Sequence, residues 1–440
     1  MNRPLRIGVF TGSFPVVSET FILRQITGLL DLGQDVRIYA DSAPDASSPA
    51  HPEVATYRLQ ERTTYMDMPP ETAPWELPVW PVTGRTWPPG SPTSIRNSVR
   101  VARALPKFLR AFLKAPRLAL QVLKPSQYGY QALSLSALYR LAKLCSEERC
   151  DILHAHFGPV GNRFRFAKPL WRAPLVVSFH GYDFSSAPRK EGAGMYMRLF
   201  AEADAITINS EFTRAQVQKL GCPAAKLHKL PVGLNPEEFP FQERRPTPGE
   251  PVRILTVGRL VTKKGHEFSL RAFAEARRSH PNLHYDIAGD GPLRAKLEAL
   301  ARELGVAERV SFHGACAAGD VRRLFAQAHV FVLASVSLDG DQEGQGLVLQ
   351  EAQAAGLPVL ATLHGAFPEA IVPGKSGFLV PECDVPALAE RLCFLLEHAS
   401  LWPEMGREGR AFVQERFDIR RLNRQLIELY DQLAQPDLAK

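Results

Sequence analysis

Residues 330–362 read "VFVLASVSLDGDQEGQGLVLQEAQAAGLPVLAT". An apolar, β-rich run leads into a glycine-rich loop, then a helical stretch, then a second apolar run. That is the order of a β-α-β unit. The two runs, "VFVLAS" and "PVLAT", do not alternate apolar with polar residues. They therefore read as strands covered on both faces, as in a parallel sheet. Outward from there, "RILTVGRL" (253–260), "HYDIAGDG" (284–291) and "VSFHG" (310–314) repeat the pattern. So do "DILHAHF" (151–157), "LVVSFHG" (175–181) and "AITIN" (205–209) in the first half. "LRIGVF" (5–10) and "VRIYA" (36–40) flank the helical stretch "SETFILRQITGLLDLGQ" (18–34). The alternation lapses at 235–251, "NPEEFPFQERRPTPGEP", where proline and charge replace apolar residues.

The expected architecture is α/β, two doubly wound, Rossmann-like parallel-sheet domains with a cleft between them. Their expected bounds are 1–235 and 251–410, with a linker at 236–250. Residues 411–440 are expected to form a helix packing back on the first domain. A length of 440 residues suits two cores better than one.

Composition narrows the class. With 45% hydrophobic and 22% charged residues the chain reads as soluble and globular. No apolar run reaches the roughly 18 residues of a spanning helix. The N-terminus passes straight into a strand without a signal core, and the six cysteines are scattered with no CxxC pair. A cytoplasmic location with reduced thiols is expected, and structural zinc is not.

The net charge of +7 is concentrated. Between Leu77 and Ser146 stand eleven Arg or Lys and no Asp or Glu. Residues 66–93 hold eight prolines and three of the five tryptophans, and read as a surface excursion or flap. In 94–124, Arg96, Arg100, Arg103, Lys107, Arg110, Lys114 and Arg117 recur every four or three positions, a basic stripe on one helical face. Leu105, Phe108, Leu109, Phe112 and Leu113 fall mostly on the other side, and Pro106 and Pro116 should break the segment into two or three short helices. Two readings stand open: contact with anionic headgroups on the inner face of the cytoplasmic membrane, or a solvated helical flank. Nucleic acid is not an expected partner, because no recognition motif accompanies the charge.

Three stretches carry candidate chemistry. Glu343 and Glu351 bracket a helix start whose amides, from Gly344 through Gln345 and Gly346 to Leu347, point outward with the positive end of the helix dipole. Such an end can cradle an anion, although a capping acid and a solvated helix charge explain the same spacing. "VGRLVTKKGHEF" (257–268) puts Arg259 and Lys264 just past a strand, where fixed cations suit a phosphate chain or a solvated basic turn. In "FTGSFPVVSE" (10–19), Gly12 and Ser13 follow the first strand, in a tight turn or against a ligand. Asp339-Gly340-Asp341 is a DxD that reads as a polar loop rather than a metal site. His154, His156 and His180 lack an evident fourth zinc ligand, and His154 reads as core.

Together these residues resemble family 4 of the glycosyltransferases, the large retaining group with the GT-B fold. The sharpest element is E-x7-E, Glu343 to Glu351 within "EGQGLVLQEAQAAGLPV". "VGRLVTKKG", "IAGDGPLRAKLE", "VSFHG" and "GAFPEAIVPGKSGFLV" accompany it in the family's order. "GSFPVVSETFILRQI", "HAHFG" and "SFHGYD" resemble the subgroup that builds exopolysaccharides of the colanic-acid type.

The resemblance implies that Glu343 contacts donor-sugar hydroxyls and Glu351 the ribose. It implies that Arg259 and Lys264 neutralise the diphosphate with Gly12, Ser13 and the amides of Gly344 to Leu347. Phe312 to Gly314 would flank the base, and His180 would lie near the transferred sugar. Glu19, His156, Tyr182 and Asp183 are the expected acceptor contacts. The implied reaction moves a sugar from a nucleotide diphosphate, UDP expected, to a glycan or lipid-linked acceptor, with retention by front-face substitution and with no metal or other cofactor. Gln345 and the long "SLDGDQ" loop depart from the family pattern and bear on the donor. A UDP-sugar epimerase of GT-B fold and a non-catalytic sugar-nucleotide or membrane-binding module are the alternatives.

Overall fold

Alternation within the apolar strands splits each sheet's two faces. In the strand Val330–Leu333 all four side chains are buried. Val330 and Val332 join one apolar cluster while Phe331 and Leu333 join another. Ile254 and Leu255, and Leu360 and Ala361, divide in the same way. Side chains of successive strand residues point to opposite faces, so a run without polar residues needs a covering layer on each. Each fully buried Val, Leu, Ile or Phe side chain contributes about 1.5–3 kcal/mol relative to exposure.

The structure is a computed structural model that describes residues 3–16, 19–44, 51–66, 93–338 and 340–434, with backbone alone for 93–101. All but the ends of the 66–93 flap, Asp339 of the DxD and the last six residues lie outside that set. Among the described residues thirteen strands pair, all in parallel. The first sheet holds β1 (Arg6–Ser13), β2 (Asp35–Ser42), β3 (Thr63–Tyr65), β4 (Ile152–His156), β5 (Leu175–Phe179), β6 (Ala205–Ile208) and β7 (Leu227–Lys229). Their order is β3-β2-β1-β4-β5-β6-β7. The second holds β8 (Val252–Val257), β9 (Leu283–Ala288), β10 (Val310–Gly314), β11 (Val330–Leu333), β12 (Val359–Thr362) and β13 (Gly377–Val380), in the order β10-β9-β8-β11-β12-β13. Strand order therefore reverses between β1 and β4 in the first sheet and between β8 and β11 in the second. Ligands of open α/β sheets bind beyond the carboxyl ends of strands at such reversals.

The chain forms two compact units, one of residues 1–208, 215–229 and 423–440, the other of 209–214 and 230–422. This corrects three expected bounds. Residues 236–250 do not stand between the two units but belong to the second, anchored at a few positions. Leu234 and Phe239 are buried there with Val413 and Phe417, and Arg244 donates to the carbonyls of Ala326 and Ala355 at 2.6 and 2.7 Å. The second unit also runs past 410, through Leu422. The helix Ile419–Ala434 starts in the second unit and passes into the first. There Tyr430 meets His154, oxygen to Nδ1, at 2.5 Å.

Pro106 does not break the basic segment. The helix Thr93–Lys114 runs through it, and the interruption comes only before Pro116–Gln121. The buried face around Pro106 is alanine, Ala104 and Ala111, so the helix keeps close packing while losing the hydrogen bond that proline cannot donate.

Candidate active site

At the β8/β11 reversal the loop after β8 turns through Gly258 and the exposed Arg259 into the short turn Thr262–Lys264. The buried imidazole of His266, Nε2 to oxygen 3.0 Å, holds the Arg259 carbonyl, and the Val336 amide donates to the Lys263 carbonyl at 2.9 Å. Gly265 ends the turn at φ +64°, where a Cβ would lie 1.6 Å from the Ala334 carbonyl oxygen, so no side chain fits. These contacts fix the lysine turn beside the end of β11.

Glu343 enters from the loop after β11. Its carboxylate lies 3.1 Å from the Lys264 ammonium and 3.5 Å from that of Lys263. Burial pushes its pKa up, yet the two lysines outweigh burial and hold it down at about 2. Lys263 also pairs with Asp341 at 3.2 Å. Lys264 is thus a partner of Glu343 as well as a candidate phosphate ligand. Arg259 makes no ion pair among the described residues.

The Glu343 backbone is pinned from behind. Its amide donates to His364 Nε2 at 3.0 Å, so that nitrogen is an acceptor. The proton must then sit on Nδ1, which lies 2.7 Å from the Glu382 carboxylate. Glu382 also accepts from the Ser337 amide at 2.7 Å and its hydroxyl at 2.9 Å. His364 is fully buried.

Beyond Glu343 the amides of Gly344, Gln345 and Gly346 donate to no acceptor among the described residues. Gly346 caps the helix Leu347–Ala354 at φ +76°, and a Cβ there would meet the Phe367 ring at 2.5 Å. Glu351 is half-buried on the second turn. Gln345 offers a ligand its backbone only. Its side chain accepts from the Val232 amide and donates to the Val232 carbonyl, both at 2.7 Å. Phe312 and Gly314 lie on β10, with Gly314 at φ +71° and its carbonyl accepting from the Gly289 amide at 2.8 Å.

The first unit has its own reversal between β1 and β4. Gly12 and Ser13 are the last residues of β1 rather than residues past it. The Ser13 hydroxyl is engaged with Ser42 at 2.6 Å. A Cβ on Gly12 would stand 3.5 Å from the Arg163 guanidinium, which is paired with the buried Asp41 at 2.8 Å. From the ends of β4 and β5 a column of imidazoles rises: His154, His156 and His180 stack at 4.7 and 5.7 Å between centroids. Phe21 covers His180 at 4.6 Å. Burial lowers His154 and His180 to about 3 and holds His156 well below the ordinary imidazole value, so all three are neutral. Tyr430 and Ser178 occupy both nitrogens of His154.

Two expected acceptor contacts are corrected. His156 is buried, its Nδ1 3.4 Å from His180 Nε2, and is not open to direct contact from solvent. Asp183 is fully buried, its two oxygens accepting from the amides of Gly158 at 2.7 Å and His180 at 2.5 Å. Asp183 positions His180 rather than touching an acceptor. Burial raises it to about 7 against those hydrogen bonds. Tyr182 is half-exposed, and Glu19, at the start of the helix Thr20–Asp31, is raised to about 7 by burial.

The column has a pH consequence. An unfolded chain takes up protons on these histidines below about 6.5 while the folded chain does not, so their contribution to stability is lost as pH falls from 6.5 toward 3. Glu19 and Asp183 act oppositely, binding protons when folded. The His156→Gln variant isolates one histidine. Between pH 7 and 5 the wild type should lose about 2 kcal/mol more than the variant, read from urea midpoints at both values. An equal loss would mean His156 titrates in the folded protein.

Sequence reasoning did not single out Lys263, His364, Glu382 or Arg163. "TKK" offered Lys263 beside Lys264; nothing in sequence links His364 to Glu382 or Arg163 to Gly12.

Two Rossmann-like units, one presenting cations and a glycine-capped helix at its strand reversal, define a GT-B glycosyltransferase. A family model described as glycosyl transferases group 1 matches residues 238–412, and one described as a glycosyl transferase 4-like domain matches 18–233. A protein named as the colanic acid biosynthesis glycosyltransferase WcaL of Escherichia coli is 30% identical over 98% of this chain and 100% of its own. The amylovoran biosynthesis glycosyltransferase AmsK of Erwinia amylovora is 31% identical over the same shares. Among solved structures, Anabaena HepE in complex with UDP and glucose is similar over 98% of this chain and 100% of its own, with a TM-score of 0.65 and 17% identity. The chain belongs to the group 1 glycosyl transferases, with an N-terminal domain of the 4-like type.

Proposed function

We propose that this chain is a retaining glycosyltransferase of hexosyl type that uses a nucleotide-diphosphate sugar, UDP being the nucleotide, and acts in bacterial exopolysaccharide assembly. One observation carries the reading: Lys264, Lys263 and Glu343 meet within 3.5 Å at the β8/β11 reversal, beside the unpaired Gly344–Gly346 amides. The lysines and amides suit the diphosphate, and the ionised Glu343 suits the sugar hydroxyls. The names of WcaL and AmsK support the pathway, and HepE with UDP and glucose supports the ligand class.

Fixed positive charge stabilises the departing diphosphate as the glycosyl bond breaks, and a leaving oxygen can take the proton of an acceptor hydroxyl on the same face. Arg259, the two lysines and the helix end supply that charge from the protein, so transfer needs no metal in this scheme. A glycan or lipid-linked saccharide is the acceptor, met by the first unit through His180, Tyr182 and Glu19. His180, neutral and held by Asp183, can hydrogen-bond a sugar hydroxyl without carrying charge.

Incubation with UDP-hexoses and a lipid-linked saccharide, followed by proton NMR of the product, tests the scheme. The anomeric coupling should match that of the donor. An inverted product would overturn front-face transfer, and interconversion of the donor without acceptor would make the protein an epimerase.

A further inference from the structure

We propose that Glu382 and His364 staple the two ends of the loop 337–343 together, and so act as positioning residues that aim Glu343 at the donor sugar. The proposal rests on the donor reading given above and adds the part of the protein that governs the sugar's share of it. Glu382 stands just past β13 and is 23% exposed. One of its oxygens accepts from the Ser337 amide at 2.7 Å. The other accepts from the Ser337 hydroxyl at 2.9 Å and from His364 Nδ1 at 2.7 Å. The second nitrogen of that imidazole takes the Glu343 amide at 3.0 Å. Ser337 opens the loop and Glu343 closes it, so one carboxylate and one imidazole bind both ends.

The closing end is held closely. The Glu343 carbonyl accepts from the Ala366 amide at 3.2 Å. Gly365, at φ +48°, passes so near that a Cβ there would lie 2.3 Å from the same oxygen. At the opening end Gln342 donates to the Ser337 hydroxyl at 2.8 Å, and the Asp341 amide donates to the Leu338 carbonyl at 2.7 Å. Burial works against the charge of Glu382, yet the Ser337 amide and His364 hold its pKa below the usual carboxylate range. Hydrogen bonds to an ionised carboxylate are shorter and stronger than neutral ones, which suits a clamp.

Two holds act on Glu343. Lys263 and Lys264 draw its carboxylate toward the place of the diphosphate. The staple fixes the backbone and sets how far the carboxylate follows. Without Glu382 the carboxylate stays paired with the lysines while the loop that carries it shifts, and a misplacement of about 1 Å can cost about 10²-fold in rate. Arg259 and the lysine turn do not pass through the staple, so nucleotide binding is spared. A polar cluster that served stability alone would give no reason for its placement. All the hydrogen bonds that the Glu382 carboxylate makes among the described residues end on Ser337 or His364.

Full-length wild type, Glu382→Ala and Glu382→Gln are compared in three ways. Initial rates are taken with UDP-hexoses and a lipid-linked saccharide, UDP affinity by calorimetry, and the imidazole protonation by nitrogen NMR of histidine-labelled protein. Glu382→Ala should lower kcat about ten- to a hundredfold while UDP affinity stays within about twofold. Glu382→Gln, which still accepts from His364 Nδ1, should recover part of that loss. The wild-type spectrum should show the His364 proton on Nδ1, with Nε2 bare. Unchanged kcat in the alanine variant would overturn the proposal. A fall in kcat matched by an equal loss of UDP affinity also overturns it, because the whole site would then have given way. So does a wild-type proton on Nε2, which breaks the chain of bonds. Wild-type protein that transfers from no UDP-hexose would instead strike at the donor reading, and the His364 spectrum would still decide whether the staple exists.

Discussion

Glu343→Ala is expected to lower transfer by about 10²–10³ while nucleoside diphosphate binding is kept or becomes several-fold tighter. The two effects have one cause. The carboxylate sits 3.1 Å from Lys264 and is the internal counter-ion of both lysines. Without it the ammonium groups face a bound diphosphate with no competitor, so the anion gains. The sugar loses the acceptor that orients its hydroxyls, so the transition state is held less well than the ground state. A rate effect of that size corresponds to about 3–4 kcal/mol of barrier, the worth of one preorganised donor in an oxyanion hole. Glu343→Gln should recover part of the rate, because it can still accept a hydrogen bond. Initial rates with saturating donor and calorimetric titration with UDP separate the two effects. Undiminished transfer in the alanine variant would remove Glu343 from the mechanism.

The second large effect is expected at Arg259. Its side chain is exposed while its carbonyl is held by buried His266, so alanine removes the guanidinium without disturbing the turn. Transfer should again fall by about 10²–10³, but here diphosphate binding should weaken too, because the lost charge serves ground and transition states alike. Glu343→Ala and Arg259→Ala are thus expected to differ in the sign of their effect on binding. Weakened binding in both would show that Glu343 contacts the phosphates through a bridging group rather than balancing the lysines.

What the sequence disclosed followed its local patterns. Unbroken apolar runs such as "VFVL" and "PVLAT" announce strands buried on two faces, and β11 and β12 are that. The glycines at 344 and 346 and the paired glutamates announce a helix start adapted to an anion, a pattern that needs neighbours only a few residues away.

What it hid depends on distant partners. Asp183 looks like a polar residue in a "HGYD" loop, yet its burial is set by the amides of Gly158 and His180 at the ends of two strands. Gln345 reads as a ligand contact until Val232, over a hundred residues earlier, takes both ends of its amide. His364 and Glu382 carry no motif, and only the pairing of β12 with β13 brings them together behind Glu343. Proline and charge at 235–251 suggested a linker between the domains, but Leu234, Phe239 and Arg244 within or beside it are anchored in the second unit. On the basic helix, periodicity separated cations from leucines correctly. It could not tell that alanines form the buried face and that the leucines stand in solvent.

The most direct test is calorimetric titration of wild-type protein and Arg259→Ala with UDP and with GDP, in buffer containing EDTA. A chain that holds its donor diphosphate on Arg259, the lysine turn and the Gly344–Gly346 amides should bind UDP without metal, and the variant should bind about a hundredfold more weakly. No binding of either nucleotide, binding that requires a divalent cation, or equal affinity in the variant would contradict a metal-free donor site at the β8/β11 reversal.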